Sequence, residues 1–446
     1  MKYAKPFLTF LAGGLMLLLA TASHADDATV SAAAAAPRKV VVYGSSVALG
    51  YGSEPNVYNR GSYTNGYAGL ITALLTQNGW AVTNISIGGQ VTSNGLARFE
   101  PELEPLHPGY VLVGYSLANE GFVGSKNPIE LTNRFISNLA KLIPLCRSND
   151  ISPVLGLTYA HGGYSAKEYQ YGKDVNLVLN SWDVPSINLL GALDDGSGHW
   201  AADYFHDAWH PNNAGYREMF YAFVPTLFDA LSAGKTHSPH LDPVPNFARM
   251  TAAADITAPL TFTPGNAMHS FTMAFRVRST HSGTIAAVRS DTGYATIALR
   301  DHQLIYVAPD GRELAIPIDA TNGWHDVTLA ARYAASRTMF AVDGAVVGYL
   351  PERYVPDEFV LGGPGGASPR AAAPAAADFK NWCLYRAAWN ADEARAQAKG
   401  HLQQASMEIC APLSDATFSA GTPATNVAQS LSVVQVIGSN IQAMTE

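Results

Sequence analysis

The sequence predicts two folded units of different class: a three-layer α/β domain, then an all-β sandwich. Three observations carry this expectation. Short apolar runs alternate with helix-like segments through the first half of the chain, the apolar period falls to two in the second half, and a proline-rich stretch parts the two patterns. The chain's 446 residues leave room for two sizeable cores.

Residues 1–25 stand outside the fold. Lys2 and Lys5 precede an apolar stretch over 7–20, and Ser23-His24-Ala25 offers the small residues of a cleavage site, the pattern of a signal peptide. The stretch is shorter than the ~20 residues that cross a bilayer, carries Gly13-Gly14, and has no cysteine near its end for a lipid anchor. No later segment is long and apolar enough to span a membrane, so a soluble protein of the periplasm or the cell exterior is expected, without an integral membrane anchor. Residues 26–37, rich in Ala, Ser and Thr, read as a disordered linker.

From residue 38 the α/β pattern begins. Lys39-Val40-Val41-Val42-Tyr43 ends at Gly44 as a buried parallel strand does, and the same form returns at 81–87, 110–113, 153–158 and 186–190. Helix-like segments fill 67–77, 128–143, 175–180 and 214–231, which makes 38–233 one domain around a mainly parallel sheet. Residues 234–246, with Pro239, Pro243 and Pro245, suit an extended linker that keeps two modules apart, a rigid interface that completes the pocket being the alternative. Beyond it, 270–277 alternates with period two, as do 294–299, 303–307, 326–331 and 339–342, while Asp310-Gly311 and Asp343-Gly344 supply hairpin turns. Many short strands and few helices make 247–413 a β-sandwich. Residues 414–446, rich in Ser, Thr, Ala and Gln, carry no readable structure and count as a low-complexity tail.

Composition narrows the function. Charged residues make up only 14%, and 36 acidic against 28 basic side chains give a net charge of −8 without any dense Lys/Arg block. Nucleic acid is not an expected partner, because phosphate binding needs a concentrated basic face. Three cysteines form no CxxC or Cys/His ladder, so structural zinc is not expected. Cys383 and Cys410 lie near the end of the sandwich in a chain that meets oxidising conditions, which predicts a disulfide, two separate thiols being the alternative. Cys146, just past a helix, reads as a buried free thiol.

Open α/β sheets bind ligands at the carboxyl edge of their strands, and four segments lie there. They are Gly44-Ser45-Ser46-Val47-Ala48-Leu49-Gly50, Asn84-Ile85-Ser86-Ile87-Gly88-Gly89-Gln90, Gly114-Tyr115-Ser116-Leu117-Ala118-Asn119-Glu120-Gly121, and Asp207-Ala208-Trp209-His210-Pro211-Asn212. In content and order they resemble the four motif blocks of the SGNH (GDSL-type) hydrolase family, over residues 38–233. The resemblance implies a flavodoxin-like three-layer fold, a nucleophile at Ser46, and Asp207 and His210 as its partners. It also implies oxyanion donors at the Ser46 backbone, Gly89 and Asn119, since counting from Asn84 puts Gly89 rather than Gly88 at the matching position. The chemistry agrees: a serine hydroxyl near neutral pH needs a base within hydrogen-bond reach, and a neutral imidazole needs an acceptor on its other nitrogen. Two residues depart from the family pattern. Ser45 replaces the aspartate before the nucleophile, and Glu120 replaces the aspartate that often follows the asparagine.

Rival motifs are weaker. His206-Asp207-Ala208-Trp209-His210 imitates a zinc-binding helix, but Pro211 disfavours helical backbone at His210. Gly114-Tyr115-Ser116-Leu117-Ala118 approximates a nucleophile elbow at Ser116 but ends in alanine, with no amphipathic helix directly after it. Tyr115, Tyr159, His161 and Trp209 lie beside the expected site as lining for an acyl or sugar pocket, although buried aromatics more often belong to a core.

The second half resembles the concanavalin A-like or laminin G-like sandwich group, on Trp324-His325-Asp326-Val327, on 339–348, and on 378–386 with Asn390-Ala391-Asp392-Glu393 after it. That likeness implies a jelly-roll sandwich of a kind that often binds polysaccharide. Together the two resemblances imply an exported serine esterase that takes a small acyl group, acetyl foremost, from carbohydrate through an acyl-enzyme and needs no cofactor. The alternative among enzymes is a lipase, lysophospholipase or thioesterase of the same fold. Outside them it is a glycan-binding protein with a degenerate hydrolase domain, which the departures at Ser45 and Glu120 would favour.

Overall fold

The computed structural model describes residues 37–59, 61–241, 245–251, 259–318, 323–363 and 374–446, so the signal peptide and residues 26–36 of the linker after it lie outside the described residues. The first part of the chain runs β1 (Lys39–Gly44), α1 (Ser46–Leu49), a short hairpin of β2 (Tyr58–Asn59) and β3 (Ser62–Tyr63), α2 (Tyr67–Gln77), β4 (Ala81–Asn84), α3 (Thr92–Ala97), β5 (Tyr110–Gly114), α4 (Pro128–Arg147), β6 (Ser152–Gly156), α5 (Ala166–Asn180), β7 (Ser186–Ile187), α6 (Leu189–Leu193), α7 (Asn213–Tyr221) and α8 (Leu227–Ser232). Alternate residues of β1 enter different cores. Val40 and Val42 pack with Tyr67 and Ile71 of α2, and Val41 and Tyr43 pack with Phe135 and Leu139 of α4. A continuous apolar run is what such a doubly covered strand requires. The sheet is parallel in the order β4-β1-β5-β6-β7, with helices on both faces, so the α/β expectation holds.

Differences from the sequence reading are local. The helix expected over 214–231 is broken into α7 and α8, where Pro225 cannot donate a backbone bond. The strand expected over 186–190 stops at Ile187, because Asn188 caps a helical turn by accepting the Gly191 N–H at 2.8 Å. Helix α5 starts at Ala166 rather than 175, behind a capping box of Ser165 and Glu168.

The second part holds β8 (Asn246–Met250), β9 (Leu260–Phe262), β10 (Phe271–Arg278), β11 (Gly283–Ser290), β12 (Gly293–Arg300), β13 (Gln303–Val307), β14 (Glu313–Pro317), β15 (His325–Arg332), β16 (Arg337–Val342), β17 (Ala345–Leu350), β18 (Pro356–Leu361), β19 (Ala377–Tyr385), α9 (Ala391–Ala398), β20 (Met407–Ala411), β21 (Gln435–Val436) and β22 (Ile441–Thr445). One antiparallel sheet is ordered β17-β16-β15-β10-β19-β8-β22, with β20 also on β19; the other is ordered β14-β13-β12-β11-β18-β9-β21. Phe271, Phe275, Phe340, Phe359, Phe379 and Trp382 share the core of this sandwich. Asp343 and Gly344, both at positive φ, make the two-residue turn from β16 to β17.

Three expectations are corrected here. Residues 414–446 are no unstructured tail: β21 pairs with β9 and β22 with β8, burying Val434, Val436 and Ile441. Two short strands separated by polar turns leave too brief an alternation to read. Cys383 and Cys410 face each other across β19 and β20, yet both are free thiols with sulfurs 3.7 Å apart against ~2.05 Å in a disulfide. They lie in an apolar cluster with Tyr385, Trp389 and Met407, away from solvent, while Cys146 is likewise buried and free.

The third correction concerns the linker. The two modules are not held apart, because buried and half-buried polar groups of each part find partners in the other. Arg332 pairs with Asp194 at 2.7 Å, and Asn188 Nδ2 donates to Glu393 Oε1 at 2.7 Å. Glu218 pairs with His269 at 2.9 Å, and Lys173 with Asp392 at 2.6 Å. Lys235, in the linker, donates to the carbonyls of Asn426, Ala428 and Ser430. No helix among the described residues is long and apolar enough to cross a membrane.

Candidate active site

The site forms where β1, β4 and β5 end. Gly44 and Gly114 are register partners, and a Cβ on Gly44 would sit 2.2 Å from the Gly114 carbonyl oxygen, so glycine alone allows this approach. Ser45 then donates its N–H to that carbonyl at 3.1 Å, and the chain turns into α1 with Ser46 as its first residue. Asn84 at the end of β4 fixes α1 from the side, donating to the Ala48 carbonyl and the Ser62 hydroxyl, both at 2.8 Å.

Residues 206–210 fold back on themselves rather than forming a helix. The His206 N–H donates to the His210 carbonyl at 2.8 Å, and Phe205 bridges Pro211. Trp200 Nε1–H and the Gly162 N–H hold the Ala208 carbonyl at 3.0 and 2.8 Å. Gly52 lets the chain after α1 press on this loop, since a Cβ there would lie 3.2 Å from that of His210.

These two pieces of backbone bring three side chains into one hydrogen-bonded row. His210 Nε2 lies 3.0 Å from Ser46 Oγ, and His210 Nδ1 lies 2.9 and 3.1 Å from the two oxygens of Asp207. Asp207 also accepts the backbone N–H groups of Trp209 and His210 at 2.7 and 2.8 Å. Burial pulls its carboxyl upward, but the hydrogen bonds from His210 and Trp209 outweigh it and hold the group below the usual carboxylate range. An ionised Asp207 places the imidazole proton on Nδ1, which leaves the Nε2 lone pair for the Ser46 hydroxyl.

The other predicted residues fall into two groups. Gly89, at φ +74, and half-buried Asn119 stand on the loops after β4 and β5, and Asn119 Nδ2 ties the loops together by donating to the Gln90 carbonyl at 3.1 Å. Gly88 is the glycine against the nucleophile, since a Cβ there would lie 3.9 Å from Ser46 Cβ. Trp209 is exposed, and His161 beneath it packs edge to face with it at 4.4 Å. Burial lowers the His161 imidazole to about 4. Tyr115 does not line the site: it is buried against Tyr43 and Gly95, in the core under α4. Tyr159 is buried too, stacked on Trp200, its phenol pushed up to about 12 by burial. Ser116 is buried, its Oγ accepting the Ala118 N–H at 3.2 Å.

One contributor, Tyr51, escaped the sequence reading, and the two departures from the family pattern, Glu120 and Ser45, take on structural roles. The Tyr51 ring lies 4.7 Å from that of His210 and is half exposed, and Tyr216 donates to the Tyr51 carbonyl at 2.5 Å. Glu120 is a brace: its side chain, shut off from solvent, accepts the Thr92 N–H and hydroxyl at 2.7 and 2.6 Å and pairs with Arg134 at 3.1 Å. Ser45 is wholly buried with its hydroxyl unpartnered, so no carboxylate stands beside the nucleophile on that side.

Residues 42–218 match the model of the GDSL-like lipase/acylhydrolase family. This part of the chain is a GDSL-like acylhydrolase domain. No curated protein matches the chain. Among solved structures it is similar to a GDSL-like lipase from Bacteroides thetaiotaomicron, at 17% identity and a TM-score of 0.32 over 44% of this chain and 88% of that one. It is also similar to Axe2, an acetylxylan esterase from Geobacillus stearothermophilus (16%, TM-score 0.33, 41% and 90%), and to a heptameric SAP-like pentraxin from Limulus polyphemus (13%, TM-score 0.29, 35% and 83%). The hydrogen-bonded row of Ser46, His210 and Asp207 lies within the stretch that the GDSL model spans.

Proposed function

We propose that the chain is an exported serine esterase that removes small acyl groups, acetyl foremost, from carbohydrate. The observation that carries the reading is the 3.0 Å approach of His210 Nε2 to Ser46 Oγ, with Asp207 on the opposite nitrogen. In this reading His210 takes the Ser46 proton as the oxygen attacks the ester carbonyl, and Asp207 stabilises the imidazolium that forms. The tetrahedral oxyanion receives the Ser46 and Gly89 N–H groups and the second Nδ2–H of Asn119, the first being held by Gln90. Collapse expels the sugar hydroxyl, protonated by His210, and leaves an acyl-Ser46 that water then cleaves by the same route.

Two exposed rings, Tyr51 against the base and Trp209 against His161, suit the flat face of a sugar. The sandwich would hold the substrate polymer. Purified protein is assayed against p-nitrophenyl esters of graded chain length beside acetylated polysaccharides. Ester hydrolysis that falls as the acyl chain lengthens, with acetyl released from the polysaccharides, abolished by Ser46→Ala but not by Ser116→Ala, is the expected result. A preference for long acyl chains would favour a lipase, and an inert wild-type protein a degenerate one.

A further inference from the structure

A cavity of about 110 Å3 lies at the junction of the two parts, where α5 and the loop after α6 meet β15, β16, β17 and the turn into α9. None of its lining residues belongs to the Ser46 site. One water needs ~10–15 Å3 of such space and a drug-sized ligand about 300 Å3 or more, so a small molecule fits. The lining is of two kinds. Ala330, Met339, Ala388 and Trp389 are buried and apolar, whereas Lys173, Arg332 and Arg337 bring three cations, and no lining residue is acidic.

Two of these cations have partners: Arg332 pairs with Asp194 at 2.7 Å and Lys173 with Asp392 at 2.6 Å. Arg337 is half-buried and has no carboxylate or hydrogen-bond acceptor among the described residues; its guanidinium carbon lies 3.7 Å from the centre of the Tyr349 ring. The nearby carboxylates are already committed. A carboxylate offers about four acceptor sites, and those of Asp194 go to Arg332, the Tyr169 hydroxyl and the N–H groups of Gly196 and Gly198. Asp392 is held by Lys173 and Arg395, and Glu393 by Asn188 and Asn390. Gly196 adds an independent sign. At φ +95, it has Arg337 Nη1 2.8 Å and Arg332 Nη1 3.6 Å from the place a Cβ would take, so two guanidinium groups converge on one point that only glycine leaves open. Like charges at this range repel, and an anion between them turns the repulsion into attraction.

The apolar lining selects among anions. Phosphate or sulfate would turn oxygens toward residues that offer them no donor, at a desolvation cost. A carboxylate matches a guanidinium plane with paired N–H···O bonds at one end and presents an alkyl group at the other. We infer that this cavity binds a short-chain monocarboxylate, its oxygens on Arg337 and Arg332 and its alkyl end against Met339 and Trp389. The site rests on these contacts and not on the proposed hydrolysis, so the two readings fail separately, although the acids that such hydrolysis would release belong to the class it fits. Residues of both parts line the cavity, so a bound acid stabilises the docked molecule.

The full-length chain is titrated calorimetrically at constant ionic strength with acetate, propionate, butyrate, phosphate and propionamide, and its Tm is followed in parallel. At least one of the three acids is expected to bind with a Kd of roughly 1–10 mM, as ligands this small allow, and to raise Tm. Propionamide, the neutral isostere of propionate, is expected not to bind. Arg337→Gln should weaken the acid about 10-fold or more by removing charge-assisted bonds. Should that variant fail to fold by circular dichroism, Ala391→Leu keeps every charge and fills the cavity, and should weaken binding about 5-fold or more. Binding of none of the acids, tighter binding of phosphate than of every acid, propionamide bound as tightly as propionate, or unchanged affinity in either folded variant overturns the proposal.

Discussion

Arg332 and Asp194 form an ion pair at 2.7 Å that joins the two parts of the molecule through its interior, their side chains only 8% and 0% exposed. Asp194 also accepts the Tyr169 hydroxyl at 2.6 Å and the N–H groups of Gly196 and Gly198 at 3.0 and 2.9 Å. Arg332→Met leaves that carboxylate buried without its cation, at a cost of roughly 3–5 kcal/mol, and adding Asp194→Asn should recover part of the loss. Urea unfolding should show one cooperative transition for both parts, moved to lower urea by the single variant. An unmoved midpoint would mean that the pair contributes nothing to the docking.

Glu120 should act on turnover without touching substrate. It fixes the loop that carries Asn119 through Thr92 and Arg134. Asn119→Ala should lower kcat roughly 100-fold or more for a lost oxyanion donor. Glu120→Gln, by loosening the same loop, should lower kcat on the order of 10-fold with KM nearly unchanged. A rise in KM at constant kcat would contradict a positioning role.

The Asp207 carboxyl is held below the usual carboxylate range, so its contribution is fully present above the unfolded value of about 3.9 and is lost only as pH falls through the lower folded value. Activity between pH 5 and 8 should therefore carry no step from this group. Asp207→Asn should lower kcat on the order of 10³–10⁴-fold at neutral pH, by removing the acceptor that fixes the His210 tautomer. Stopped assays on p-nitrophenyl acetate across that range test both statements.

Glu393 moves the other way. Burial at the junction of the two parts pushes its carboxyl up to about 7, against the lowering effect of its bonds from Asn390 and the charge of Arg332. A carboxyl raised in the folded state binds more protons there than in the unfolded chain, so stability falls as pH rises between about 4.5 and 7. The drop is at most about 3 kcal/mol. Thermal melts should show Tm declining across this window, and Glu393→Gln should flatten the decline whatever its effect at low pH.

What could be read from the sequence was local. Val40 to Val42 announced a strand because burial on both sheet faces demands an unbroken apolar run. The four segments at the strand ends could be read because each places its side chain through its own short turn, as Asp207 and His210 do within four residues. The docking could not, because Asn188 and Glu393 lie 205 residues apart and nothing near either announces the other. Tyr51 escaped for the same reason, its partner His210 coming from a different loop, and Tyr115 misled because adjacency to a motif does not decide on which side of a strand end a ring falls.

The pairing of β22 with β8 has a consequence for how the molecule comes into being. Thr445 meets Asn246, 199 residues away, and the strands that flank β8 and β9 are supplied by the final residues of the chain. Closing so long a loop carries an entropic cost before any contact is gained. Synthesis therefore delivers the parallel sheet complete while two sheet edges in the second half still wait unpaired, exposed to other chains until the last strand arrives.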